Sequence, residues 1–182
     1  MIFPTVENAM LVAVDLQVKL LPAMSGQDRI INRAGIMLRG AAELSLDIAV
    51  TEQYPKGLGP TLPELAEILP PGTAVVEKSS FSVFGAPEFC KAVAARKREV
   101  LIFIGVETHV CLLQSVLDAR AKGYEVIVVA DAVGSRKEED RILALEAARS
   151  AGAEIFSSET VLFMLLRDSR HPGFKAISRL IK

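Results

Sequence analysis

Four short segments of the chain carry the residue types that covalent chemistry needs. Asp15 closes one apolar run and is followed by Leu16-Gln17. Glu77-Lys78 closes another and leads into Ser79-Ser80-Phe81-Ser82-Val83-Phe84. A third run continues into Gly105-Val106-Glu107-Thr108-His109-Val110-Cys111, and a fourth ends in Asp131-Ala132-Val133-Gly134-Ser135. Asp15, Lys78 and Cys111 form a coherent set. A thiol is mostly protonated at neutral pH, and a nearby cation or a helix N-terminus favours the nucleophilic thiolate. Lys78 could supply the cation, and a first helical turn containing Cys111 would leave backbone N–H groups unpaired beside the sulfur. Asp15 could take the thiol proton and return it to a leaving group, while the free N–H groups hold a developing oxyanion.

Each residue also has a plainer reading. Cysteine often serves as a small buried hydrophobe, which suits Cys90 within the helical pattern Pro87–Ala95 and is open for Cys111. Asp15 could anchor a loop, Lys78 could be solvated, and Asp131 reads as closing a turn. His109 lies two residues from Cys111, a spacing that does not bring side chains together on a helix. Phe81 and Phe84 could be core, or line a pocket.

These residues need a frame that brings strand ends together. Continuous apolar, β-branched runs recur at Leu11–Val14, Asp47–Val50, Ala74–Val76, Val100–Ile104, Val126–Val129 and Glu154–Phe156, as expected of strands buried on both faces. Between them lie helical faces: Ile30, Ala34, Met37, Ala41 and Leu44; then Val110, Leu113, Leu117 and Ala121; then Ile142, Leu145, Ala148 and Ala151. Ser135-Arg136-Lys137-Glu138 reads as a capping box for the third face, and Gly123 and Gly152 as C-terminal caps. Alternating strands and helices imply a parallel sheet with right-handed crossovers, and six strands fit an open doubly wound α/β sheet better than a barrel. Ligands then bind at the carboxyl ends of the strands, where all four segments lie. The connection Glu52–Thr73, with five prolines and three glycines, is a candidate site wall. The tail after Arg167 ends in an amphipathic stretch.

At 182 residues, 51% hydrophobic and 24% charged, the chain can form one packed domain over residues 1–182. A net charge of -1 gives no footprint for nucleic acid or an anionic membrane. No apolar run approaches the roughly 18 residues of a membrane span, and Met1-Ile2-Phe3-Pro4 does not open like a signal peptide. A cytoplasmic location is expected. Two cysteines and two histidines exclude a disulfide framework and leave little for structural zinc. There is no G-x-S-x-G, Walker A or G-x-G-x-x-G motif.

In these four segments the chain resembles the isochorismatase-like cysteine hydrolases, from about Ala9 to Phe163. Thr51-Glu52-Gln53-Tyr54-Pro55-Lys56-Gly57-Leu58-Gly59 is most similar to the isochorismatase-domain-containing subgroup. The resemblance implies a three-layer α/β/α sandwich around a six-stranded parallel sheet of order 3-2-1-4-5-6. It also implies a triad of Asp15, Lys78 and Cys111, a cis peptide between Val106 and Glu107, and an oxyanion hole from the amides of Glu107 and Cys111. Family substrates are mostly small amides and related C–N compounds, cleaved through a thioester. Nicotinamidases hold a metal with an aspartate and histidines after the second strand. Glu52-Gln53-Tyr54 stands there instead, so no catalytic metal and no cofactor are expected. Isochorismatases that cleave a vinyl ether lack the cysteine, so Cys111 argues against that reaction. Gln17, Gln53, Tyr54, Phe81 and Thr108 are the candidate substrate contacts. The expectation is a metal-independent hydrolase of a small molecule, assembled as a dimer or larger homo-oligomer. The alternatives are ester or thioester hydrolysis by the same triad, a non-enzymatic scaffold or redox-responsive module, and a nucleotide binder, which the missing phosphate loop disfavours.

Overall fold

In the computed structural model, which describes residues 2–182, the six runs form one sheet. Strands β1 (Ala9–Val14), β2 (Asp47–Gln53), β3 (Ala74–Lys78), β4 (Val100–Val106), β5 (Glu125–Gly134) and β6 (Glu154–Phe156) pair in the order β3-β2-β1-β4-β5-β6. Every pairing is parallel. The helices are α1 (Gln27–Glu43), α2 (Pro55–Leu58), α3 (Pro63–Ala66), α4 (Pro87–Arg96), α5 (Leu113–Ala121), α6 (Glu138–Ser150), α7 (Ser158–Leu166) and α8 (Phe174–Leu180). Strand order reverses between β1 and β4, the two most completely buried strands.

Alternate side chains of those central strands feed two cores. Leu11, Ala13, Ile102 and Ile104 pack with α1, α7 and α8. Met10, Val12, Leu101 and Phe103 pack with α4 and α5. A strand covered on both faces cannot alternate apolar with polar residues, so its sequence reads as an unbroken apolar run.

Three helical readings need correction. Helix α5 buries Ser115, Val116 and Ala119, with Leu112 just before it, rather than the expected face of Val110, Leu113, Leu117 and Ala121, and Leu117 is exposed. The cause is a π-helical turn at Thr108–Leu112, immediately before α5. Its wider i→i+5 bonding shifts the helical phase. On α6 the small residues Ala144 and Ala148 face inward, leaving Ile142 and Leu143 exposed. The capping box does not form. Lys137 occupies the N-cap without a side-chain bond, and Ser135 instead meets His109 Nδ1 at 2.9 Å. Glu138, Glu139 and Asp140 in the first turn favour the positive end of the helix dipole in its place.

One glycine decides how the strand ends meet. Gly105 has φ +114°, and a Cβ there would lie 2.0 Å from the Val14 carbonyl oxygen. Only glycine lets β4 approach β1 so closely where β1 delivers Asp15. Asp15 itself turns out of the strand at φ +52°. The connection after β2 folds back through α2 and α3, and Thr61 bridges to Gln17 in antiparallel fashion.

Candidate active site

Asp15 and Lys78 arrive from two non-adjacent strands and meet in full burial. Asp15 Oδ2 lies 2.7 Å from Lys78 Nζ, and both side chains are inaccessible to solvent. Thr51 on the intervening strand β2 donates its hydroxyl to Asp15 Oδ1 at 2.7 Å. Lys78 Nζ also approaches Gln53 Oε1 at 2.7 Å, Phe81 O at 3.0 Å and Ser80 O at 3.2 Å. Four acceptors therefore surround three N–H donors, so the ammonium has no donor to spare.

Cys111 sits within the π-helical turn rather than in the first turn of a regular helix. Its Sγ lies 4.0 Å from Gln53 Oε1, and the residue belongs to the apolar cluster that includes Val14, Val83, Leu112 and Val116. The thiol is pushed up to about 12, first by burial and then by the charge of Asp15, with Lys78 pulling it down less strongly. Asp15 pairs with Lys78, so burial is the largest influence on the sulfur and favours the protonated thiol.

The peptide bond between Val106 and Glu107 is cis. The Glu107 carbonyl accepts from Val110 N and Leu112 N, folding the segment into the turn that carries Cys111. The Glu107 carboxylate accepts from Arg136 Nε at 2.9 Å. His109 is taken up by Ser135 and lies 3.9 Å from Asp140, so it forms no dyad with Cys111. Asp131 does more than close a turn: it accepts from the backbone N–H and hydroxyl of Ser158 at the start of α7.

The remaining candidates separate. Gln17 is fully buried. Its amide donates to Gln53 O and Gly59 O and accepts from Gln53 N, so it clamps the wall of the site and offers nothing to a substrate. Gln53 faces Lys78 and Cys111. Tyr54 and Phe81 are 60% and 52% exposed. The backbones of both are tied to Lys78, Phe81 through its carbonyl and Tyr54 through an N–H to the Lys78 carbonyl. Tyr54 also borders a cleft of about 320 Å³ with Pro55, Lys56, Glu77, Lys78 and Ser79. Thr108 is buried, and its hydroxyl has no hydrogen-bond partner among the described residues.

Two residues of the site were missed from sequence. Thr51 holds Asp15, and its place opposite Val14 follows from the parallel register. Ser115, four residues after Cys111, donates to the Cys111 carbonyl at 2.6 Å and accepts from Val83 N at 3.0 Å. It joins the nucleophile's turn to the loop after β3. Only its spacing on the helix could have signalled it.

The chain is similar to known proteins over nearly its whole length. The sequence profile of the isochorismatase domain matches residues 9–160. Mouse isochorismatase domain-containing protein 2A is 39% identical over 177 residues, covering 97% of this chain and 84% of that protein. A solved structure from Caenorhabditis elegans, described as MAR1 ribonuclease, superimposes with a TM-score of 0.94 at 37% identity, covering 98% of this chain and 91% of the other. The YcaC gene product of Escherichia coli, described as an octameric hydrolase of unknown specificity, superimposes with a TM-score of 0.94 at 28% identity, covering 100% and 90%.

Proposed function

The chain belongs to the isochorismatase family, and on that premise we propose that it is a metal-independent cysteine hydrolase of small, uncharged amide-like compounds. One observation carries the reading: a fully buried Asp15–Lys78 ion pair lies beside the buried thiol of Cys111, with the Gln53 side-chain oxygen within reach of both Lys78 and the sulfur. A buried ion pair adds little net stability over apolar packing, so a chemical task accounts for it better than a structural one.

In this reading the Cys111 proton passes to Asp15 as the sulfur attacks the acyl carbon. Negative charge moves from carboxylate to sulfur, with Lys78 beside both. The backbone N–H groups of Glu107 and Cys111 hold the oxyanion. Protonated Asp15 gives its proton to the departing amine, leaving a thioester. Asp15 then takes a proton from water, which attacks the thioester. The acid leaves and the thiol recovers its proton from Asp15.

Tyr54 and Phe81 supply the exposed aromatic edges of the site, and the free hydroxyl of Thr108 supplies an unmet polar contact. Lys78 is already saturated, which favours an uncharged substrate over a carboxylate or phosphate. The end of β2 suits metal-free chemistry. Glu52 spends a carboxylate oxygen on Thr61, and Gln53 is an amide tied to Lys78. Both cysteines are free, which fits a cytoplasmic location. The octameric relative and the exposed Leu117, Ile142 and Leu143 support assembly with further copies.

The ribonuclease description of one structural neighbour suggests a second reading. Nucleic-acid binding draws on phosphate neutralisation by excess Lys and Arg, and this chain has 21 basic against 22 acidic residues. The test is intact-mass detection of an acyl adduct after brief incubation with a panel of small amides, esters and thioesters, with Cys111→Ala as blank. An adduct mapped to Cys111 on an amide supports the reading. Turnover of esters alone moves the bond to an ester, and RNA cleavage that survives in Cys111→Ala overturns it.

A further inference from the structure

Gln53 entered as a candidate substrate contact, but its surroundings give its amide another task. Nε2 donates to Ser79 O at 2.8 Å, and Oε1 accepts from Lys78 Nζ at 2.7 Å. Turning the amide over would place its NH₂ against the ammonium and its oxygen against a carbonyl, so the orientation is fixed by its neighbours. The backbone is held as well, by the amide of Gln17 on both its N–H and its carbonyl. An oxygen atom therefore faces Cys111 Sγ, at 4.0 Å.

We propose that Gln53 is a positioning residue that keeps the Cys111 thiol protonated until a substrate enters, by presenting a locked acceptor oxygen to the sulfur. The proposal rests on the cysteine-hydrolase reading and deepens it. An acceptor oxygen can receive an S–H but repels the electron-rich thiolate. That repulsion favours the thiol.

The ionisable groups acting on the sulfur are Asp15, beyond β1, and Lys78, on β3. On its own turn, Glu107 pairs with Arg136, and His109 is turned to Ser135 and Asp140. The charge balance at the sulfur is thus set by one acid, one base and the neutral dipole of Gln53. Holding the thiol protonated has a chemical use. A permanently charged sulfur would react with any electrophile, whereas a thiol that ionises only as Asp15 accepts its proton reacts with what the oxyanion donors can hold.

The test compares two near-isosteric variants in the full-length protein. Gln53→Met removes the acceptor oxygen facing the sulfur, while Lys78 keeps Asp15, Ser80 O and Phe81 O as partners. Gln53→Glu puts a second anion on Lys78 beside the sulfur. Iodoacetamide alkylation of Cys111 is followed from pH 7 to 10 by intact mass and peptide mapping, with Cys90 as internal reference. Thermal unfolding confirms that each variant is folded. The expected result is a shift in opposite directions: alkylation at pH 9 about tenfold faster in Gln53→Met and about tenfold slower in Gln53→Glu, each corresponding to roughly one pKa unit. A residue with a merely structural role would move both variants alike. Shifts in the same direction, or an unmoved pH profile in both folded variants, overturn the proposal. Because the readout needs no substrate, a failure here is separate from a failure to find an acyl adduct.

Discussion

Replacing Asp15 with asparagine should make Cys111 more reactive while abolishing turnover. The thiol stands at about 12 against an ordinary value of 9.0. Thiolate fraction falls tenfold for each unit of pKa, so at pH 8 the resting site holds roughly 10³-fold less thiolate than a free cysteine. Burial accounts for the largest part of that shift and the Asp15 charge for the next. Asp15→Asn removes the anion but keeps the shape and the contact with Thr51 Oγ1. Lys78 is then left buried without a counter-ion, and the thiolate is the nearest group able to become one. Recovery of even one unit raises alkylation about tenfold. Loss of the proton carrier should lower turnover by about 10²–10⁴. The assay is iodoacetamide labelling at pH 8, by intact mass with Cys90 as reference, beside turnover on whichever substrate acylates the enzyme. Labelling that is unchanged or slower in a folded Asp15→Asn protein would refute the electrostatic account of the site.

The other half of the ion pair should behave differently. Lys78→Met strands a buried carboxylate, so we expect slower Cys111 labelling and a loss of about 3–5 kcal/mol in denaturant unfolding. Unfolding stability should fall as pH rises from about 9 to about 12, because in that window the unfolded thiol ionises while the folded one does not. Below that window the contribution is fully present, and Cys111→Ala should flatten this alkaline slope. Gly105→Ala, with a Cβ 2.0 Å from the Val14 carbonyl, should give insoluble protein or a markedly lowered melting temperature, whereas alanine at Gly72, which meets nothing within 4 Å, should cost little beyond its positive φ. Leu143→Glu on the exposed face of α6 should reduce the particle size seen by light scattering while leaving the monomer fold intact.

The parts of this molecule that were legible in its sequence are those set by local pattern. Runs such as Val100–Ile104 betray a strand buried on both faces because no polar residue interrupts them. Helix α1 was legible from the helical spacing of Ile30, Ala34, Met37 and Ala41, all of them buried, although Ile36 and Leu38 are buried as well. What was not legible depends on partners remote in sequence. Thr51 reaches Asp15 across 36 residues, and Arg136 reaches Glu107 across 29. No spacing rule predicts either pairing without the register. The phase of α5 was misread because a π-helical turn carries no clear compositional mark. It is also this turn that sets Cys111 into the apolar packing of Val83 and Val116, so one irregularity accounts for both the wrong helical face and the buried sulfur.

The state of the thiol shows most sharply where residue types stop being informative. A lysine, an acid and a cysteine at strand exits suggest an activated nucleophile when each is considered alone. Their charges, however, must be summed in place. Lys78 and Asp15 cancel at 2.7 Å, and the sulfur then responds mainly to burial. On the proposed mechanism the consequence is a nucleophile that stays protonated until its proton has somewhere to go. Asp15 can accept it only if the negative charge it gives up reappears nearby, on sulfur and then on an acyl oxygen, with Lys78 and the backbone N–H groups close at each stage. In the proposed mechanism Lys78 is then the fixed positive charge past which one negative charge moves, a role that fits its burial and its four oxygen partners.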